Sequence, residues 1–132
     1  MARVLTALVA LCALVLPACG KSDKDQVDQT VRDFVTATNN RDAKQFCDKL
    51  VSKQFLEQST GATGSKARDV CHQQLKSLKG LKIKLVKING TKVSGNKATV
   101  RAVLSAQGQT QDQVLRLTKE SGDWKLAGGS GG

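Results

Sequence analysis

The sequence predicts an α+β fold in which N-terminal helices pack on one face of a curved antiparallel sheet. Between Asp25 and Gly80 apolar residues recur every three or four positions, the spacing of one helix face. Beyond Gly80 they alternate at every second position, as they do on a half-buried strand. Turn signals at Asn89-Gly90, Gly95-Asn96 and Glu120–Asp123 divide this second half into short segments. Helices followed by a meander of strands make a two-layer α+β pattern.

The first helix begins near Asp25 as N-cap, with Asp28 placed well against the helix dipole. Val27, Val31, Phe34, Val35 and Thr38 form its apolar stripe, and Asn39-Asn40 ends it. A second, shorter helix, capped by Asn40 or Asp42, carries Ala43, Phe46, Cys47, Leu50 and Val51 on one face. Phe55 and Leu56 extend that contact into a turn, and Gln58 to Ser65 is a loop by composition. The third helix starts after Ser65 as N-cap, presents Ala67, Val70, Cys71, Leu75 and Leu78, and stops at Gly80. His72 lies beside that stripe, where a lone histidine reads as a boundary residue and not as a catalyst.

In the strand region Leu81, Ile83 and Leu85 alternate with Lys82 and Lys84, then Val86 and Ile88 flank Lys87. The apolar parity slips by one at Leu85-Val86, and a β-bulge there keeps the lysines outward. Asn89-Gly90 reads as a turn, Thr91 to Ser94 as a short edge pairing, and Gly95-Asn96 as a second turn. Ala98, Val100, Ala102 and Leu104 make the next inward face, and Gln107 to Gln111 turns the chain. Val114, Leu115 and Leu117 mark a third strand with Arg116 outward. Glu120–Asp123 leads into a last short strand at Trp124 and Leu126, and residues 128–132 read as a flexible Gly/Ser tail.

Ahead of the helices, residues 1–18 have the organisation of an export leader. Arg3 supplies the positive charge, and Val4 to Leu16 is apolar apart from Thr6. That run is shorter than the ~20 residues a spanning helix needs, and Pro17 closes it. Leu16-Pro17-Ala18-Cys19-Gly20 resembles the lipobox of bacterial lipoproteins, with Pro17 an unusual middle residue. The resemblance implies cleavage between Ala18 and Cys19, a diacylglycerol on the Cys19 thiol, and acylation of the new amine. It also implies an extracytoplasmic protein anchored to the bacterial cell membrane by its lipidated N-terminal cysteine. Residues 19–25 would then be the lipidated tether, in which Gly20 to Asp25 is a six-residue flexible stretch spanning on the order of 13 Å, and residues 26–127 the domain. The alternatives are a plain signal peptide with an incidental cysteine, or an uncleaved anchor.

The chain has four cysteines. Cys12 leaves with such a leader and lipid takes Cys19, so Cys47 and Cys71 remain as a pair that an oxidising compartment would join. The alternative is two buried free thiols packed as small hydrophobes. Cys71 beside His72, with Cys47 distant, matches no zinc-ligand spacing, so no metal is expected.

The stretch V-R-D-F-V-T-A-T-N-N-R-D, the F-C-D-K-L of the next helix and the closing G-D-W-K-L-A are similar to the NTF2-like (cystatin-like) superfamily, especially its small secreted lipoproteins. A different α+β meander is the alternative. The resemblance implies a cone-shaped pocket between helices and sheet, in which some members act as isomerases or dehydratases. Its ketosteroid-isomerase-like enzymes use a pocket carboxylate and an acid such as tyrosine. This chain has no tyrosine, and its strand parity puts no Asp, Glu or His inward. The favoured function is therefore a non-catalytic ligand- or partner-binding module at the cell envelope, with no cofactor. An isomerase- or hydrolase-type enzyme acting on a small apolar molecule in the cone is the runner-up.

Charge is the remaining signal. Lysine and arginine number 21 against 11 acidic residues, a formal net charge of +10. No acidic residue falls between Asp69 and Asp112. Strand parity projects Lys82, Lys84 and Lys87 from the outer face of one strand and Arg101 from its neighbour. A solubilising surface is the plain interpretation. The functional one is contact with anionic lipid headgroups or acidic cell-wall polymers. Nucleic acid is a poor partner, because no aromatic platform interleaves the basic residues. The sequence leaves the oligomeric state undetermined.

Overall fold

The first helix, α1 (Asp23–Asn40), starts two residues before the expected cap. Ser22 is the N-cap, its Oγ accepting from the Asp25 amide at 3.2 Å, and this leaves Asp23 and Asp25 in the first turn against the dipole. The structure, a computed structural model, describes residues 21–131. The proposed leader, lipobox and cleavage site, including Ala18 and Cys19, lie outside the described residues.

The Asn-Asn-Arg-Asp-Ala stretch after α1 does three separate structural jobs. The Asn39 side chain clamps the edge of the sheet: its Nδ2 donates to the Ile83 carbonyl at 2.6 Å and its Oδ1 accepts from the Ile83 amide at 2.7 Å. Arg41 closes the helix in the left-handed conformation, its amide donating to the Ala37 and Thr38 carbonyls. Asp42 caps the next helix by accepting from the Gln45 amide at 3.0 Å.

That next helix, α2 (Ala43–Gln45), passes directly into a π-helical turn, Phe46–Leu50. Val51 then bridges in parallel to Leu126 of the sheet, and Ser52 starts α3 (Lys53–Thr60) by accepting from the Phe55 amide. Here the structure corrects the sequence. Phe55 and Leu56 belong to a capped helix and not to a turn, and Gln58 to Thr60 are helical. Leu56 is the only fully buried residue of this short helix, so it leaves no periodicity to read. The last helix, α4 (Gly64–Ser77), follows Thr63, two residues ahead of the cap expected at Ser65.

The sheet is a meander in the order β1-β2-β3-β4, made of β1 (Ile83–Ser94), β2 (Lys97–Ala106), β3 (Gln109–Glu120) and β4 (Asp123–Gly131). All its neighbours are antiparallel. The expected bulge is present: the β1–β2 register shifts between Leu85 and Lys87, leaving Val86 as the extra residue. Asn89-Gly90 is not a turn. β1 runs through it, and the second register shift, between Ile88 and Gly90, absorbs it while β2 continues alongside.

The Gly/Ser tail is likewise corrected, since β4 continues through Gly128–Gly131 and pairs with Gln113–Arg116 of β3. At Gly129 a Cβ would come within 3.2 Å of a Leu115 methyl, so the glycine serves a close approach.

The core lies between α1 and one face of the sheet. Val27 and Val31 pack with Ala98, Val100, Ala102, Leu115, Leu117, Trp124 and Leu126. A second cluster of Cys47, Val51, Leu56, Ala67 and Cys71 joins the π-helical turn to α3 and α4, and Phe55 touches both clusters.

Candidate functional site

Three places could carry function: the interior under α1, the opposite face of the sheet, and a cleft beside the second core cluster.

The interior is filled beneath α1, while the far end of the same sheet face opens into a cleft of about 260 Å³ bordered by Ile83, Leu104, Ala106, Gln109, Gln111 and Gln113. Side chains from α1 and from the sheet's inner face meet under the helix, and the polar groups closest to this core are spoken for. Trp124 is buried, and its indole Nε1 donates to Asp23 Oδ1 at 3.2 Å. Lys119 Nζ donates to the same oxygen at 3.0 Å. These two hydrogen bonds, that of Lys119 first, hold the Asp23 carboxyl below the ordinary carboxylate range. Asp28 accepts from the Thr91 hydroxyl of β1. Both carboxylates tie α1 to the sheet.

The opposite face of the sheet is cationic. Pairing puts Lys84 opposite Ser105, Lys87 opposite Val103 and Lys92 opposite Thr99, on the side away from Val100 and Leu115. Lys97, Arg101 and Arg116 share that side, with Asp112 among them and Glu120 and Asp123 at the hairpin end. The six cations are exposed. The predicted set therefore divides. Lys84, Lys87 and Arg101 stand together, whereas Lys82 precedes β1 and turns back, its Nζ donating to the Asn39 carbonyl at 3.0 Å. The carbonyls at a helix C-terminus attract a cation, which overrides strand parity at this position. Sequence reasoning left Lys92, Lys97 and Arg116 out of this set, although their parity was available.

The third place is organised by the disulfide. Cys47 and Cys71 are bonded across 24 residues of sequence, joining the π-helical turn to α4. The residues following them in sequence repeat the connection: His72 Nε2 lies 3.0 Å from Asp48 Oδ1, each side chain about a third exposed (32% and 30%). Next to this double link is a cleft of about 320 Å³ lined by Cys47, Asp48, Val51, Leu56, Glu57 and Arg68, with Lys53, Glu120 and Lys125 at its rim. Among the described residues, no cluster of His, Cys, Asp or Glu is arranged to hold a metal, and no helix is long and apolar enough to cross a membrane.

No protein-family model and no curated protein matches the sequence. Solved structures do match. The chain superposes on a protein with a cystatin-like fold from Caulobacter vibrioides with a TM-score of 0.59 at 14% identity, over 81% of this chain and 86% of that one. An NTF2-like protein from Cytophaga hutchinsonii gives a TM-score of 0.60 at 17% identity, over 84% and 98% of the two chains. A candidate dehydratase of the NTF2-like family from Streptomyces avermitilis gives 0.55 at 16% identity, over 81% and 92%. The architecture is the NTF2-like, cystatin-like α+β cone. At these identities the likeness defines the fold, and chemistry has to come from the site.

Proposed function

We propose that this chain is a bacterial lipoprotein, held by lipid on Cys19, whose NTF2-like domain is a non-catalytic binding module facing an anionic surface at the cell envelope. The observation that carries the reading is the grouping of Lys84, Lys87, Lys92, Lys97, Arg101 and Arg116 on one exposed face of the sheet, with Asp112 among them and Glu120 and Asp123 only at its hairpin end. The interior supports the non-catalytic half of the reading, because aliphatic side chains and Trp124 fill it beneath α1 and the cleft at its far end is bordered by glutamines and aliphatic residues. The lipobox supports the address. With α1 starting at Asp23, the tether between lipid and domain is short and holds the domain close to the headgroups.

The test is co-sedimentation of residues 21–132 with vesicles of anionic phosphatidylglycerol mixed with neutral phosphatidylcholine. Each cation near such a surface contributes ~1 kcal/mol. Removing two cations costs ~2 kcal/mol and the two new carboxylates add repulsion, so the Lys87→Glu/Arg101→Glu variant should bind at least about 30-fold more weakly. Binding should also fall steeply with salt. Equal binding of wild type and variant, or equal binding to purely neutral vesicles, would remove the anionic surface from the account.

A further inference from the structure

The cleft beside the disulfide lies outside the cone interior, at the hairpin end of the cationic sheet face, and its charges are unevenly satisfied. Its floor is apolar, formed by Cys47, Val51 and Leu56. Its carboxylates are already engaged within the protein. Glu120 accepts from the Lys53 amide at 3.3 Å, Glu57 Oε1 accepts from the Gly64 amide at 3.2 Å, and Asp48 is paired with His72. The side chains of Lys53, Arg68 and Lys125 form none of the ion pairs found among the described residues. Three carboxylates and three cations line the cleft, and the charged side chains without a partner inside the protein are the cations Lys53, Arg68 and Lys125.

The walls come from the π-helical turn, α3, α4 and the β3–β4 hairpin, so the concavity depends on the tertiary fold. The disulfide and the Asp48–His72 pair fix the two helical walls relative to each other, and Arg68 lies three residues, about one turn, before Cys71 on α4. A π-helical turn is an uncommon element that recurs at functional sites, and this one supplies Cys47 and Asp48 to the cleft. The volume of about 320 Å³ lies at the small end of the range for ligand pockets.

We infer that this cleft binds a small amphiphilic anion, its apolar body on Cys47, Val51 and Leu56 and its single carboxylate or phosphate held by Arg68 with Lys53 and Lys125. Arg68 is the specific element, because a planar guanidinium grips either head group through two parallel hydrogen bonds, while the lysines act as point charges. This inference does not rest on the lipid anchor or on the sheet face.

The experiment is a nuclear magnetic resonance titration of residues 21–132, which contain the sheet, its helices and the disulfide. The probes are octanoate and octyl phosphate, with octanol and inorganic phosphate as controls for body and head alone. The expected result is saturable shifts at Val51, Leu56 and Arg68 with at least one of the two anions, and the stronger of them identifies the head group. Either control should bind at least tenfold more weakly. Arg68→Gln with Lys125→Gln should weaken the binding at least tenfold with an unchanged Tm, and Arg68→Glu alone should abolish it. The Lys87→Glu/Arg101→Glu variant of the sheet face should bind the probe as the wild type does. The absence of saturable shifts at the cleft, octanol binding as well as the anions, or undiminished binding by the Arg68 variants would each overturn the proposal.

Discussion

Reducing the Cys47–Cys71 bond opens a loop of 24 residues without removing an atom from the core, and its cost follows from the loop length. In the chain-entropy model, a crosslink closing a loop of this size stabilises the native state by about 3.4 kcal/mol at room temperature. An unfolding entropy near 2.1 cal/mol/K per residue converts this into a Tm lower by about 15 °C for a domain of about 110 residues. The second core cluster resists part of the change, because both cysteines are buried and the Asp48–His72 pair still bridges the same elements. Those contacts persist in the reduced native state, however, and the crosslink acts mainly on the unfolded one. The assay is thermal unfolding of residues 21–132 by circular dichroism with and without reductant, with thiols counted before and after reduction. A drop of 10–20 °C is expected, with no free thiol before reduction. A drop below about 5 °C in a sample that gains two thiols would refute the loop-entropy reasoning.

Two further perturbations test the contacts that join α1 to the sheet. Asn39→Ala leaves the Ile83 amide and carbonyl without their side-chain partner, so the urea midpoint should fall by an amount equivalent to about 1–3 kcal/mol. An unchanged midpoint would mean that water replaces the clamp without loss. Asp23 has its folded pKa lowered by its bonds from Lys119 and Trp124, so its stabilisation is complete above the ordinary unfolded value of about 3.9 and is lost as pH falls through the lower folded value. Tm followed from pH 5 to pH 2 should therefore fall less steeply in Asp23→Asn than in the wild type, and identical slopes would contradict the assignment.

The α+β order was legible because it is written in local periodicity. The stripe of Val27, Val31 and Val35 is buried on α1, and the parity slip at Leu85-Val86 is a bulge in β1. The cystine was legible from cysteine arithmetic combined with two helical stripes. Features set by contacts between distant segments were not. Asn89-Gly90 has the chemistry of a turn, yet β2 runs alongside and converts it into a register shift. Gly128–Gly131 carries no side-chain alternation, so its pairing with β3 left no trace in the sequence. Lys82 follows the parity of Lys84, but the C-terminal carbonyls of α1 capture it. His72 and Asp48 meet because the packing of the second core cluster brings their elements together.

The candidate surfaces divide along the same line. The sheet face was partly legible, since strand parity alone selects Lys84, Lys87 and Arg101. The cleft was not, because Lys53, Arg68 and Lys125 come from α3, α4 and β4, and nothing in their sequence spacing marks them as neighbours.

The most direct test of the central claim is the intact mass of the full chain purified from bacterial membranes, beside a Cys19→Ala variant. The account predicts a wild-type mass equal to residues 19–132 plus lipid and less two hydrogens for the cystine, and a variant that carries no lipid. A wild-type protein of unmodified mass would contradict the lipid anchor and with it the placement of the cationic face at a membrane.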